Sequence, residues 1–342
     1  MFVTGCHRSG TSLLASLLHA ALGFGLPPTK PHLQAQIDNP RGFFESKAIV
    51  ELNDKLLSLA GAEWRRPPLL SPEWSSQSFI STFTPWRSSL ADYALSACWV
   101  DKDPRLCITY PAYLHLLLKR VPLAAVIRHP LAVASSLFAR DGMPLEQGLA
   151  LWYVYNYHLA ASLQEGDLLL VYEQLFSLGD FSASSTVSEA IKGFAERQGH
   201  QVAPSADFQS RIHQRICRHL NRSSSSLPQS LVSQVDSRLL DICQQSYDIV
   251  GSQGLPEVQS HQLAFDVLPR PVLMALLQPG NIHLGNYQMV IHENEQLKAD
   301  LERSHRRGQD CEAQLALIQA STSWRVSYPL RYFKDRLVSF FC

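Results

Sequence analysis

The eight residues Gly5-Cys6-His7-Arg8-Ser9-Gly10-Thr11-Ser12 bring glycines, hydroxyls and a cation together in one short stretch. That set suits an anion. Glycines let the backbone turn tightly, hydroxyls and amides donate hydrogen bonds, and arginine supplies a permanent charge in a planar fork. The stretch follows a short apolar run, residues 1–4, and precedes an apolar helical pattern over 13–22 that stops at Gly23. A strand, a glycine-bounded turn and a helix N-terminus together form a phosphate cradle. The spacing Gly-x-x-x-x-Gly-x-Ser is that of a phosphate loop, with one part displaced. A nucleoside-triphosphate loop has lysine directly after its second glycine; here that place is Thr11, and the cation is Arg8. A plain strand–turn–helix with incidental glycines is the alternative.

A second constellation lies further on. Arg128 ends the apolar run Ala124-Ala125-Val126-Ile127, and Ser136 follows eight residues later, about two turns into the next helix. A guanidinium fork and a hydroxyl make a second anion site. Candidate bases are few. Glu45 follows Gly42-Phe43-Phe44 and precedes Ser46, a good N-cap for a helix over 47–59. Aromatic walls there would raise its pKa towards that of a working base, although a first-turn carboxylate serving the helix dipole looks the same in sequence. Asp101 and Asp103 are the alternative bases. His7 reads as a turn residue of the cradle rather than as a catalyst.

These residues need a scaffold. Short apolar strands are expected at 98–100, 124–127 and 168–172, with helices over 106–119, 131–138 and 145–163. Apolar strands alternating with helices predict an α/β fold, a phosphate-loop-type parallel sheet flanked by helices with a helical C-terminal extension. In such sheets ligands bind at the carboxyl ends of the strands, where the clusters 5–12, 101–105, 128–130 and 172–174 all fall. Residues 62–92, with Trp64, Trp74, Trp86 and several prolines, read as a loop-rich insertion able to cover a pocket. Arg211, Arg215, Arg218 and Arg222 share one helical face. The expected organisation is an α/β domain over 1–255, a Pro-containing linker over 256–285, and a helical tail over 286–342. The tail has a thin apolar stripe (Leu297, Leu301, Leu315, Ile318) compatible with a coiled coil, and a basic, aromatic end.

The motifs resemble those of the sulfotransferase superfamily that uses 3′-phosphoadenosine 5′-phosphosulfate (PAPS). Its 5′-phosphosulfate loop reads basic-Ser-Gly-Thr-Thr/Ser, and this chain has Arg8-Ser9-Gly10-Thr11-Ser12. Its 3′-phosphate site pairs a strand-end Arg with a Ser eight residues on, as Arg128 and Ser136 stand here. Trp99-Val100-Asp101-Lys102-Asp103-Pro104 and Val171-Tyr172-Glu173-Gln174-Leu175 resemble segments of the tyrosylprotein branch. The first contains a Lys-Asp-Pro run, and the Tyr of the second lies by the adenine. The resemblance is strongest to that branch and to bacterial carbohydrate sulfotransferases. It covers about residues 1–180. It implies a donor held by His7, Arg8, Ser9, Gly10, Thr11, Ser12, Arg128, Ser136 and Tyr172. It further implies Glu45 as base, with Arg8 and Lys102 as cations at the leaving oxygen. PAPS would be the co-substrate and no metal would be needed. The tail motif Ser323 to Arg331 resembles segments of bacterial glycan-assembly enzymes, which points to a carbohydrate or glycolipid hydroxyl as acceptor.

The 342-residue chain has a formal net charge of zero, so no global field favours nucleic acid. Its 7 cysteines lack metal-type spacing and an odd count makes a poor disulfide framework. With no signal-like start and no run of about twenty apolar residues, a cytoplasmic enzyme is expected. Peripheral membrane contact or self-association would come through the tail. Two other functions compete: a non-catalytic nucleotide-binding scaffold, and a kinase or NTPase with a degenerate loop, which the absence of lysine at position 11 disfavours.

Overall fold

A computed structural model describes residues 1–25, 44–95, 99–117, 119–175, 181–200 and 237–253, with isolated positions at 232, 235, 277, 303, 306, 313 and 314. The chain divides into two compact units, Met1–Ile282 and His283–Cys342. The arginine face at 211–222, the coiled-coil stripe and all of the linker except Leu277 lie outside the described residues.

The first unit is built on a four-stranded, wholly parallel sheet in the order β2-β1-β3-β4. The strands are β1 (Phe2–Thr4), β2 (Asp101–Lys102), β3 (Leu123–Ile127) and β4 (Leu168–Val171). Val3 pairs with Lys102 on one side and Ala124 on the other, and Ile127 pairs with Val171. The helices are α1 (Thr11–Leu22), α2 (Lys47–Leu59), α3 (Gln77–Phe83), α4 (Arg87–Leu95), α5 (Leu106–Leu117), α6 (Pro130–Asp141), α7 (Leu145–Ser162), α8 (Phe181–Arg197) and α9 (Ser237–Gln253).

The strands are buried on both faces because helices cover both. Val3, Ala124, Val126, Leu168 and Leu170 pack in one cluster with Leu14, Leu17 and Leu18 of α1 and Ile191 and Phe194 of α8. On the other face Phe2 meets the rings of Tyr93 (α4), Trp99 and Tyr113 (α5). Alternate residues of one strand thus feed two separate apolar layers, as the pleat requires.

Two expectations need correction. The strand expected at 98–100 begins later, at Asp101, so Lys102 lies within β2 rather than beyond its end. Trp99 lies outside the strands and forms an isolated bridge with Gly25. Trp99 and Val100 are buried just before β2, and a two-residue strand is too short to display a period. The stretch expected to be loop-rich over 62–92 is irregular over 62–76 but helical from Gln77 on. Ser76 caps α3 by accepting from the Phe79 N–H at 3.3 Å, and a 3₁₀ turn at Thr84–Trp86 leads into α4. Its serines and threonines obscure the pattern because their hydroxyls satisfy backbone carbonyls one turn back, as Thr82 and Thr84 do at 2.8 and 2.6 Å.

Candidate active site

The parallel register puts Gly5, Asp103, Arg128 and Tyr172, the residues that follow the four strands, along one rim. The chain leaves β1 for β2 on one side and β3 for β4 on the other, so the winding reverses between β1 and β3. That crevice is where an open α/β sheet admits a ligand. The turn after β1 and the turn after β3 face each other across it.

The first turn is built for close approach. A Cβ on Gly5 would lie 2.3 Å from the Val126 carbonyl oxygen, and one on Gly10 would lie 2.3 Å from the Tyr172 ring. Gly10 also has φ +94° and occupies the N-cap of α1 without a side-chain cap. The Gly10 carbonyl takes the Leu13 and Leu14 amides at 3.0 and 3.1 Å, which closes the first turn of α1 and sets its positive end at the rim. The Ser9 hydroxyl and His7 Nε2 are sealed from solvent, yet neither has a hydrogen-bond partner among the described residues. At the turn before a helix N-terminus, an anion's oxygens would suit the Ser9 hydroxyl as partner.

Arg8 and the second constellation touch directly. Arg8 Nε donates to Ser136 Oγ at 2.9 Å, and Arg128 Nη1 donates to the Arg8 carbonyl at 2.9 Å. The Arg128 guanidinium lies 4.2 Å from the centre of the Tyr172 ring. Arg8, Gly10, Arg128, Ser136 and Tyr172, spread over 165 residues of sequence, therefore line one place. Arg128 is only 7% exposed, and burial pulls its pKa below the ordinary arginine value against the opposing pull of Tyr172, Glu173 and Tyr247. A cation desolvated in this way gains more than a surface one from an incoming anion.

Glu45 and Lys102 form a buried ion pair beside the β1–β2 end of this rim. Burial raises the Glu45 carboxyl; Lys102 and Arg105 pull it down, Asp103 pushes it up, and burial prevails. The two alternative bases are committed elsewhere. Asp101 is fully buried and accepts from Ser46 N, Lys102 N and the Tyr93 hydroxyl at 3.0, 2.9 and 2.6 Å. Asp103 is fully buried too, and its two oxygens take Arg105 Nη1 at 3.1 and 3.2 Å. Arg105 reaches on to Asp54 at 2.7 Å. Glu45 is the one of the three that keeps some exposure, 8%.

His7 sits between Trp64, 4.5 Å between ring centres, and the edge of Tyr155 at 5.4 Å. Burial lowers its pKa first, and Arg105, Lys102, Arg140 and Arg8 lower it further, so the ring is neutral. Thr11 and Ser12 are the first two residues of α1, which begins two positions before the expected start at residue 13.

Several supporting residues were not singled out from sequence. Trp152 is completely buried and its indole N–H donates to the Arg128 carbonyl at 2.8 Å. It secures the strand end. Trp74, Tyr153 and Tyr155 are core residues as well. Glu173 accepts from the His129 amide at 3.0 Å and from the Tyr247 hydroxyl at 2.7 Å, which ties the second turn to α9. Only the aromatic density of 152–157 and the Glu beside Tyr172 hinted at these roles.

No family model and no curated protein matches the chain. Two solved structures are similar. One is the sulfotransferase domain from the Synechococcus PCC 7002 olefin synthase, at 17% identity, covering 78% of this chain and 94% of that one with a TM-score of 0.37. The other is the sulfotransferase domain from the curacin biosynthetic pathway, at 16% identity, covering 77% and 95% with a TM-score of 0.35. The likeness is to a sulfotransferase-like fold, and at this size it carries no argument about activity. Among the described residues no cluster of three or more His, Cys, Asp or Glu is placed to hold a metal, and no helix is long and apolar enough to cross a membrane.

Proposed function

We propose that the chain is a sulfotransferase that moves a sulfuryl group from PAPS to a hydroxyl of a carbohydrate or glycolipid. The observation that carries this reading is the direct contact of the two anion-binding turns, Arg8 to Ser136 and Arg128 to Arg8. A nucleotide phosphorylated at both the 5′ and 3′ positions needs two cationic sites within the span of one nucleoside. The unsatisfied Ser9 hydroxyl and the glycine-only approach at Gly10 fit the same ligand.

In this reading the loop amides, Arg8, Ser9, Thr11 and Ser12 hold the phosphosulfate, with neutral His7 buttressing the turn. Arg128 and Ser136 take the 3′-phosphate, and Tyr172 flanks the base. PAPS, when bound, supplies an activated sulfuryl group whose transfer needs a deprotonated acceptor and a stabilised leaving phosphate. Glu45 is the base that takes the acceptor proton, since Asp101 and Asp103 are engaged. Lys102 and Arg8 stabilise charge growing on the leaving oxygen. The carbohydrate or glycolipid acceptor is supported only by the resemblance of the tail motif at 323–331, and the tail would be its point of contact with a membrane or a second copy.

A thermal-shift comparison tests the donor class. Adenosine 3′,5′-bisphosphate should stabilise the protein well beyond AMP or ATP, with or without Mg²⁺. Equal stabilisation by AMP, or Mg²⁺-dependent stabilisation by ATP alone, would rule the reading out. Transfer of labelled sulfate to a mixed saccharide and glycolipid pool then tests turnover. Arg8→Ala and Lys102→Ala should each lower it by about 10²–10³-fold, the loss expected for one preorganised cation or donor.

A further inference from the structure

Ser46, Tyr93 and Asp101 come from three different elements and meet in one sealed network. Asp101, in β2, is fully buried, as is Ser46, the N-cap of α2; Tyr93 of α4 is 3% exposed. Asp101 Oδ1 accepts the Ser46 amide at 3.0 Å and the Lys102 amide at 2.9 Å, and Oδ2 accepts the Tyr93 hydroxyl at 2.6 Å. Tyr93 Oη also lies 2.9 Å from Ser46 Oγ, which in turn accepts the Ile49 amide at 3.3 Å as the helix cap. On the other side of Glu45, the Phe44 carbonyl accepts the Lys102 amide at 2.8 Å.

Glu45 is therefore gripped on both flanks by the strand that carries Lys102. Phe44 is bound to Lys102 N, and Ser46 N is bound to the Asp101 carboxylate. Phe44 has φ +55°, a left-handed conformation that is unfavourable for a non-glycine residue. Strain of this kind persists where surrounding bonds over-determine the backbone. A buried carboxylate must be satisfied by donors, and Asp101 takes two amides and a phenol while the Lys102 ammonium pairs with Glu45.

We propose that Asp101 and Tyr93 are positioning residues: they clamp the Phe44–Ser46 backbone against β2 and so hold Glu45 in register with Lys102. The functional side of this inference rests on the sulfotransferase reading, in which that pair is the base and a charge-stabilising cation. The clamp itself does not.

The test uses the full-length Asp101→Asn and Tyr93→Phe proteins, both near-isosteric, with Tyr93→Phe removing only a hydroxyl. Acylation of lysines by an N-hydroxysuccinimide ester, read by peptide mass spectrometry, reports how well Glu45 shields the Lys102 amine. In folded variants, Lys102 labelling should rise several-fold towards the level in Glu45→Gln, with exposed Lys47 and Lys55 unchanged. Sulfate transfer should fall in kcat by up to about 100-fold, the cost of a misplacement near 1 Å, with the KM for PAPS and the bisphosphate thermal shift unaltered. Lys102 protection equal to wild type in both variants, or in Tyr93→Phe alone if Asp101→Asn does not fold, would overturn the clamp. Absence of bisphosphate stabilisation in the wild type would instead remove the sulfotransferase reading, and the labelling would still decide the clamp.

Discussion

Arg8 and Phe44 are the two non-glycine residues with positive φ among the described positions, at +67° and +55°. One is the loop cation and the other immediately precedes the candidate base. Each conformation is unfavourable for an L-residue, so both mark places where local stability yields to the placement of a neighbouring group. Glu45 gives the clearest pH consequence. Burial outweighs Lys102 and raises its pKa, so the folded chain binds this proton more tightly than the unfolded chain. Its contribution to stability is present below the ordinary carboxylate range and is lost as pH rises through the folded value. Catalysis runs the other way, since a base must be ionised. The acid limb of a kcat/KM profile should therefore lie above that of an exposed glutamate. Glu45→Gln should remove that limb and lower transfer by about 10²–10⁴-fold, while flattening the stability loss over the same pH window in denaturant titrations. An unchanged acid limb would assign the base elsewhere. That Arg8, Arg128 and Ser136 would meet on one rim was readable from residue type and spacing. The commitment of Asp101 to internal bonds was not, because Ser46 and Tyr93 reach it from the cap of α2 and from α4; Asp103 is held by Arg105, only two residues on.

At the scale of elements, local signals carried as far as local physics does. Ser46 caps α2 and Gly23 ends α1 in the left-handed region, as cap chemistry predicts. β3 was evident as a run of apolar residues. β2 was misplaced by three residues, since it is defined by pairing with β1 and has too few residues to carry a pattern of its own. Helices α3 and α4 were hidden by serine and threonine. The junction of β1 and α1 has its own test at Gly10. Its φ is +94°, and a methyl group there would stand 2.3 Å from the Tyr172 ring, so alanine must displace the ring or the turn. Gly10→Ala should lower stability by at least about 1–2 kcal/mol from backbone strain alone. It should also abolish the bisphosphate thermal shift, because Tyr172 carries the Arg128 guanidinium on its face. Retention of the shift would show that the turn tolerates a ring displaced from Arg128.

The first unit closes on itself through α9, and the rim depends on that closure. Leu239, Cys243, Ser246 and Val250 of α9 are buried. Cys243 Sγ lies 3.7 Å from the Leu149 carbonyl of α7, the helix whose Trp152 holds the Arg128 carbonyl. Tyr247 donates to Glu173, which also takes the amide after Arg128. The helix α9 thus braces the second anion turn twice, through α7 and through Glu173. None of this was legible in sequence, where α9 lies some 120 residues from Arg128 and its amphipathic pattern names no partner. The magnitudes decide what a truncation does. Each buried aliphatic side chain is worth about 1.5–3 kcal/mol, so losing α9 removes an amount comparable with much of the roughly 5–15 kcal/mol margin of a folded domain. Residues 283–342 belong to the other compact unit, and the bonds described at the rim join residues within 1–253. A chain ending at residue 282 should therefore unfold cooperatively near the full-length temperature and keep the bisphosphate shift. A chain ending at 236 should lose both. Differential scanning calorimetry of the two, with and without adenosine 3′,5′-bisphosphate, separates the cases. A 1–236 chain that still responds to the nucleotide would mean that Trp152 alone suffices to hold Arg128 in place.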